Sequence, residues 1–439
     1  MRMKFNKSGQ LLLVAAASLL GATVLTACAT LTVDFVFVAS SKAAGTINAG
    51  EINVMEINSE SGAMRQIPTS PFPSGGRNPV AEAVSSDNSN LYVVNQDDNS
   101  IVQFIIGNDG KLYPQNTTNT AGIYPFAVSV SGTTLFVADL YQPLPTCSTA
   151  APCSGSIAVY PITVGTTSPP SDSIGPNPVA NGNLTYWPLS IPGSPNDVVE
   201  PTGINVLHSG SYLYVSAYDS TAASNFTAGA NYVFGFAIAS SGALTPLNGG
   251  APLVGGAIDT GTCTNAYLNA PFISGTCAAA IASDPSSSYV YVTDSVNNEV
   301  HAYSVAAGTG LLTSLGSPVN SGNQPSAIVV DPAYSYVYVA NALDSTVTAY
   351  SMSEGALTNL GTYTTGSEPV AIGIDPSTNH FLFTANYLGS GISGNVSGFE
   401  LSPTAGTLLT SKSSPYNSNA LPTAVAAIPH GSSGSSTTK

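Results

Sequence analysis

Two cations and a set of short amides and carboxylates are the residues of this chain best suited to holding a ligand. Seven strand-like phrases end in Ser40, Asn95, Asp139, Ala217, Asp294, Asn341 and Asn386. Five of these are Asn or Asp, with Asp97, Asp98, Asp219 and Asp344 just beyond. Each side chain can cap its own turn, which Asn and Asp do well. Gathered on one face, they would instead form a polar ring around a ligand or a cation. Calcium needs several oxygen ligands, and no compact Asp-x-Asp-x-Asp-Gly loop is present, so no metal and no cofactor is expected. Lys42 and Arg77 stand against this acidic background. Two cations side by side can hold a carboxylate or phosphate, whereas isolated surface cations are solvated or pair with an acid such as Asp97. The candidate ligand-binding set is Lys42, Arg77, Asn95, Asp97, Asp139, Asp294, Asn341 and Asn386. No motif pairs a nucleophile with a base, so no catalytic residue is assigned.

A repeated phrase must position these residues. Pro325-Ser-Ala-Ile-Val-Val-Asp-Pro-Ala-Tyr-Ser-Tyr-Val-Tyr-Val-Ala-Asn341 returns in altered form at Pro369–Asn386 and Ala278–Asp294. Self-similarity at this scale sets the architecture. Each copy holds four strand-like pieces, which in the 325 copy are Ser326–Val330, Tyr336–Asn341, Thr346–Met352 and Leu357–Thr364. Asp331-Pro332 marks the turn between the first two. Four antiparallel strands per unit make a propeller blade. The residues that open strand one are Pro79, Pro125, Pro201, Cys277, Pro325, Pro369 and Pro422, spaced 46, 76, 76, 48, 44 and 53 residues apart. Spacings in the forties fit one blade, and the two longest need insertions. Phe35–Ser40, Ile52–Asn58 and Met64–Thr69 supply strands two to four of a further blade, whose first strand is Thr423–Ile428. The expected fold is all-β: a seven-bladed β-propeller whose closing blade is shared by the two ends of the chain, leaving no open edge between first and last blades.

The Tyr-Val-x-Asn/Asp phrase resembles the YVTN-type seven-bladed propellers grouped with the lactonase (6-phosphogluconolactonase-like) propellers, over roughly residues 33–430. The resemblance implies a fold more firmly than a chemistry. It implies hydrolysis of a sugar lactone, with His, Arg and Glu near the channel. Here Arg77 and Glu200 or Glu368 could take such places. His208 and His380 fall in bottom-face turns, His430 follows the last strand there, and His301 lies within a third strand. The top mouth is therefore expected to carry no histidine, and phosphorylated sugars would want more cations than this face has.

Composition sets the compartment. Charged residues make up 8% of the 439 residues and the net charge is −15, which argues against a nucleic-acid partner. Arg2, Lys4 and Lys7 precede the apolar stretch Leu11–Leu25, and Leu25-Thr26-Ala27-Cys28 looks like a lipobox. Residues 1–28 therefore read as a lipoprotein signal segment, with Cys28 lipidated and the membrane reached through that anchor. Ala29 rather than Asp suggests the outer membrane or cell surface. About seven residues separate Cys28 from the first strand, a tether of at most about 25 Å, which turns the bottom face toward the membrane. Residues 29–430 form the propeller, and 431–439 are a Ser/Thr/Gly-rich tail.

Cys147, Cys153, Cys263 and Cys277 remain, an even number that argues for disulfides in an exported chain. Three pairings are open; the local one joins 147 to 153 and 263 to 277, each inside one insertion. Their spacing is not zinc-like. The insertions Leu140–Ser156, Tyr218–Ala230 and Asn248–Thr276 extend top loops of the third and fourth blades, and carry Tyr141, Tyr218, Phe226, Tyr267 and Phe272. Loops held by a rigid scaffold are where function concentrates. A monomeric envelope binding or scaffold protein is therefore expected, taking a glycan, a small-molecule lactone or an envelope protein on these loops, with lactone hydrolysis as the alternative. Trp187, in an outer strand, is expected to pack between blades.

Overall fold

The computed structural model describes residues 33–41, 49–58, 61–148, 151–165, 172–221, 231–255, 280–375, 381–388, 393–418 and 420–429. Cys28, Lys42, Cys263, Cys277, His380, His430 and the 431–439 tail lie outside them.

Seven antiparallel sheets surround one axis. Blade 1 combines Leu421–Ile428 with Val33–Ser41, Ala49–Asn58 and Met64–Gln66, and Phe72–Arg77 adds to its outer edge. The closing pair is antiparallel, with Val36 opposite Ala427 and Phe37 opposite Ala426. Blade 2 is Pro79–Val84, Asn90–Asn95, Ser100–Ile106 and Leu112–Asn119. Strand one of blades 3 to 7 is Ile123–Ser131, Val199–Val206, Ile281–Ser283, Pro325–Val330 and Pro369–Ile374. Only blades 2 and 6 keep a single continuous outer strand. In the other five it is two short pieces pairing with strand three. In blade 1 the expected strand Met64–Thr69 stops at Gln66; Pro68 and Pro71 follow and cannot donate to a ladder.

The Tyr-Val-Tyr phrase explains how blades lock together. The second tyrosine is buried, and its hydroxyl donates to a glycine carbonyl in the outer hairpin of the next blade. Tyr214 bonds Gly310 at 2.7 Å, and Tyr291 and Tyr338 bond Gly355 and Gly406 at 3.1 Å. Those glycines have φ of 68°, 81° and 65°, a region L side chains avoid. The first tyrosine of each phrase packs over the same glycine. A Cβ on Gly406 would fall 2.3 Å from the Tyr336 ring. Reaching back instead, Tyr160 and Tyr350 in third strands donate to Asn119 and Asn320 of the preceding blade, at 3.1 and 2.8 Å. Trp187 packs between blades as expected: it is buried, and its indole N–H donates to the Leu244 carbonyl of blade 4 at 2.8 Å.

Candidate functional site: the top half of the central channel

The polar side chains that end the second strands face their own loops. Gly76, Gly122, Gly322 and Gly366 each lie three residues before the proline that opens strand one. A Cβ on these glycines would fall 2.7 Å from Asn95, 2.3 Å from Asp139, 2.7 Å from Asn341 and 2.7 Å from Asn386, respectively. Asn341 accepts the Gly322 N–H at 3.1 Å and donates to the hydroxyls of Thr346 and Thr348. Asp139 accepts the Gly122 N–H at 3.1 Å. Asn95 accepts the Ser74 hydroxyl at 2.8 Å, and Asn386 donates to Asn395 and Ser397. Asp294 accepts the amides of Val296 and Asn297, both at 2.9 Å. All five are buried, and the partners just named are loop or strand atoms of their own blade or of the segment leading into it.

Asp139 occupies a place where three other blades use Asn. Burial pushes its carboxyl up to about 8, against lowering from the Gly122 amide and Thr120. Its Oδ1 and the hydroxyl of Ser156, its cross-strand partner, are buried without a hydrogen-bond partner.

Arg77 is held in place. Its Nε donates to Asp98 Oδ1 at 2.7 Å, Nη2 donates to the Asp97 carbonyl at 2.9 Å, and its backbone N–H donates to Asp98 Oδ2 at 2.6 Å. Asn323 repeats the pattern on Asp344, with backbone and side-chain donors at 2.7 and 2.8 Å. The Arg77–Asp98 pair is thus the blade 2 version of a loop clasp found in blade 6. The Asp97 carboxylate accepts from Asn78 Nδ2 at 3.3 Å.

The first strands enclose a cavity of about 320 Å³ on the axis. Residues at one register position form a ring in it. Val425, Val128, Ile204, Ile281, Ile328 and Ile372 stand opposite the equivalent residue of strand two in six blades. In blade 2 the residue at that position, opposite Val93, is Glu82. All seven line the cavity. Both Glu82 oxygens are shut off from water without a hydrogen bond of good geometry. Burial pushes the carboxyl up to about 8, with a smaller lowering from the backbone of Ala426 and Ala39. Ser295 and Gln324 also line the cavity, and Ser295 Oγ and Gln324 Oε1 likewise lack partners. The sequence held this clue: Pro79-Val-Ala-Glu82 aligns with Pro369-Val-Ala-Ile372.

The mouth is built from strained residues. Asn78, Tyr124, Gln324 and Glu368 directly precede strand-one prolines and have φ of 52–57°, an unusual state for non-glycine residues. It lets the carbonyls of Asn78, Gln324 and Glu368 accept the amides of Gln96, Ala342 and Tyr387, each at 2.9 Å. Burial pushes the Glu368 carboxyl up to about 7. Burial also raises Glu200, which accepts the Tyr218 hydroxyl at 2.7 Å. Cys147 and Cys153 form a disulfide. Its loop packs with Leu140 and Tyr141 against Tyr124 and Phe126, and Phe126 lines the channel. His301 lies outside the channel, with Nε2 3.7 Å from Asp294 and 3.9 Å from Glu299, in a second cavity between blades 4 and 5. No group of three His, Cys, Asp or Glu able to hold a metal occurs among the described residues.

Comparisons with known proteins agree with this fold. No curated protein matches the chain. A candidate 6-phosphogluconolactonase from Bacteroides uniformis superposes with a TM-score of 0.64 at 16% identity, covering 90% of this chain and 100% of its own. A second candidate 6-phosphogluconolactonase, from Bacteroides fragilis, gives 0.60 at 18% identity, covering 91% and 99%. The periplasmic gluconolactonase of Pseudomonas aeruginosa gives 0.62 at 17% identity, covering 90% and 99%. At such identities the likeness speaks for the fold alone. The sequence family described as lactonase, seven-bladed β-propeller, matches residues 36–169, 260–374 and 308–420, and the chain belongs to that family.

Proposed function

We propose that this protein is an envelope binding protein that takes a small uncharged ligand in the top half of its central channel. One observation carries the reading: six blades place Val or Ile at the ring position, and the seventh places an ionisable residue there. A carboxyl buried without a hydrogen bond of good geometry is costly to the fold, and such groups cluster at functional sites. The cavity is at the small end of ligand pockets. No Lys or Arg lines it among the described residues, and Arg77 is clasped by Asp98, so no described side chain offers an anionic ligand a counter-charge. The disulfide loop forms part of the mouth through Phe126, which joins the recognition loops to the channel.

The test is binding of a panel of neutral sugars, lactones and envelope glycans to residues 29–439, read by calorimetry. Ile328→Phe, which crowds the cavity, should abolish binding while the fold survives by circular dichroism. Binding unchanged in that variant would move the site to the loops.

Glu82 also favours a second reading, hydrolysis of a bound lactone. An ionised carboxylate beside an ester can take the proton of an attacking water. Turnover above the spontaneous rate, lost in Glu82→Ile and kept in Arg77→Ala, would establish it. We also propose a lipid anchor at Cys28 with the bottom face toward the membrane. Labelling with radioactive palmitate that persists in Cys28→Ser would remove that anchor from the account.

A further inference from the structure

We infer that the cleft between blades 4 and 5 binds a small organic cation, an ammonium group carried on an apolar ring or short chain, with Asp294 as its counter-charge and Tyr232 and Tyr303 in its walls. This site is separate from the channel and does not depend on the channel reading.

Three observations carry it. The first is a seam bond that is not made. Tyr303 holds the register place of Tyr160 and Tyr350, opposite Val290 where they stand opposite Leu135 and Val337. Those two donate back to Asn119 and Asn320, which sit opposite Ser100 and Glu299 in the preceding blade. The matching residue of blade 4 is Gly255, opposite Tyr232. Tyr303 makes no bond to it. The residue is 7% exposed, and its hydroxyl has no hydrogen-bond partner among the described residues. The seam opens here into a cavity of about 280 Å³, walled by Tyr232, Val233 and Val254 of blade 4 and by Val292, His301 and Tyr303 of blade 5. An unpaired hydroxyl in a largely apolar wall is costly, and a polar ligand group would satisfy it.

The second is charge. From Tyr113 to Ser411 the chain has no Lys or Arg, so neither blade of this seam can supply one to neutralise an acid. Asp294 lines the cavity, and the charges of Asp219 and Asp197 are felt at Tyr232. Burial opposes ionisation of Asp294, but His301 and the donors of Asn297 and Val296 outweigh it and hold the carboxyl below its usual range. Asp294 is therefore an anion at neutral pH, and the cleft attracts positive charge. A carboxylate has about four acceptor sites. The Val296 and Asn297 amides use Oδ1, and Asn297 Nδ2 donates to Oδ2 at 2.9 Å. His301 Nε2, 3.7 Å away, is beyond hydrogen-bond range, so Oδ2 can accept once more. The third is the wall. The His301 and Tyr303 rings lie 10° from parallel with centroids 6.4 Å apart, and the His301 side chain is 33% exposed. Aromatic faces attract cations, and Asp294 and the Tyr303 oxygen can accept ammonium N–H groups. A metal ion would want several oxygen ligands, and Asp294 is the one carboxylate among the described lining residues.

The probes are cyclohexylammonium and cyclohexanol, rings of one shape that differ in charge. Affinities would be measured by ligand-observed NMR on residues 29–439 in low salt, at about pH 7.5, where an alkyl amine is protonated like a lysine. Wild type should prefer the ammonium about tenfold, as a hydrogen bond to a charged group implies. Asp294→Asn places there the residue that blades 6 and 7 use at Asn341 and Asn386, keeps an acceptor oxygen for the turn, and should bind both probes alike. Tyr303→Phe removes a hydroxyl that the fold does not use. It should weaken the ammonium about fivefold and leave the denaturant midpoint unchanged. Ile328→Phe, which alters the channel, should bind the ammonium as wild type does. No binding of the ammonium, equal affinity for the alcohol, a preference that survives Asp294→Asn, or full affinity in Tyr303→Phe overturns the inference. Loss of ammonium binding in Ile328→Phe would put the cation in the channel and also overturns it, as does displacement of the ammonium by equimolar calcium chloride. The alcohol comparison and Tyr303→Phe decide the matter even where Asp294→Asn fails to fold.

Discussion

Two sets of contacts circle this propeller, and they follow different rules. At the seams between blades the same bonds recur from copy to copy. Tyr214, Tyr291 and Tyr338 make one stitch, and Tyr160 and Tyr350 make another. On the axis, six blades agree and one departs, and the departure is a buried acid. Repetition at the seams is what packing demands, because each blade must bury its faces against two neighbours. No such demand places a glutamate at the ring. The contrast teaches where to look in a repeat protein. A residue that obeys the repeat is explained by the fold, and one that breaks it at a buried position needs a further reason.

The sharpest way to break the contrast is at the seam. Gly406→Ala would place a Cβ against the Tyr336 ring, at a positive φ that alanine adopts poorly. Overpacking and backbone strain together should cost about 3 kcal/mol, read as a fall in the denaturant midpoint. A change below about 1 kcal/mol would mean that the seams are looser than their bond lengths indicate.

Asp139 tests the opposite case, a departure from the repeat at a position whose structural role is clear. The folded state holds the proton to about pH 8, while the unfolded chain releases it near pH 4. Wild-type stability should therefore fall as pH rises from about 4 to about 8 and level off above. Asp139→Asn restores the residue used at Asn95, Asn341 and Asn386 and removes the ionisable group. It should stabilise by roughly 2 kcal/mol at pH 8 and by little at pH 4. Equal stabilisation at both pH values would mean that the gain does not come from the lost charge.

These cases show how much was legible in the sequence. The blades and the shared closing sheet were plain, because the Tyr-Val-Tyr phrase and the Asp-Pro turn each have one structural use. The split outer strands were not, since pieces such as Val319–Asn320 are two residues long and carry no period. The polar residues ending the second strands are legible in the sequence, but their direction is not. Only the fold shows Gly122 or Gly322, about twenty residues earlier, lying against Asp139 or Asn341. The third-strand place of His301 is legible in the sequence, whereas its approach to Asp294 depends on strand register. Glu82 was visible as a mismatch between copies. Its meaning depends on the seven first strands meeting on one axis.

The smallest effect should come from Arg77, the residue that stands out most by charge. Its guanidinium is exposed and satisfied by Asp98 and the Asp97 carbonyl. The bond that orders the loop is the backbone N–H of Arg77 to Asp98, matched by Asn323 and Asp344 in blade 6. Arg77→Ala keeps that backbone bond, so thermal stability and channel binding should both stay close to wild type. Asp98→Ala removes the acceptor from two donors at once and should be the more damaging of the pair. Should Arg77→Ala instead abolish ligand binding while leaving stability intact, the guanidinium leaves Asp98 when ligand arrives, and the recognition site would have to extend from the channel to the rim.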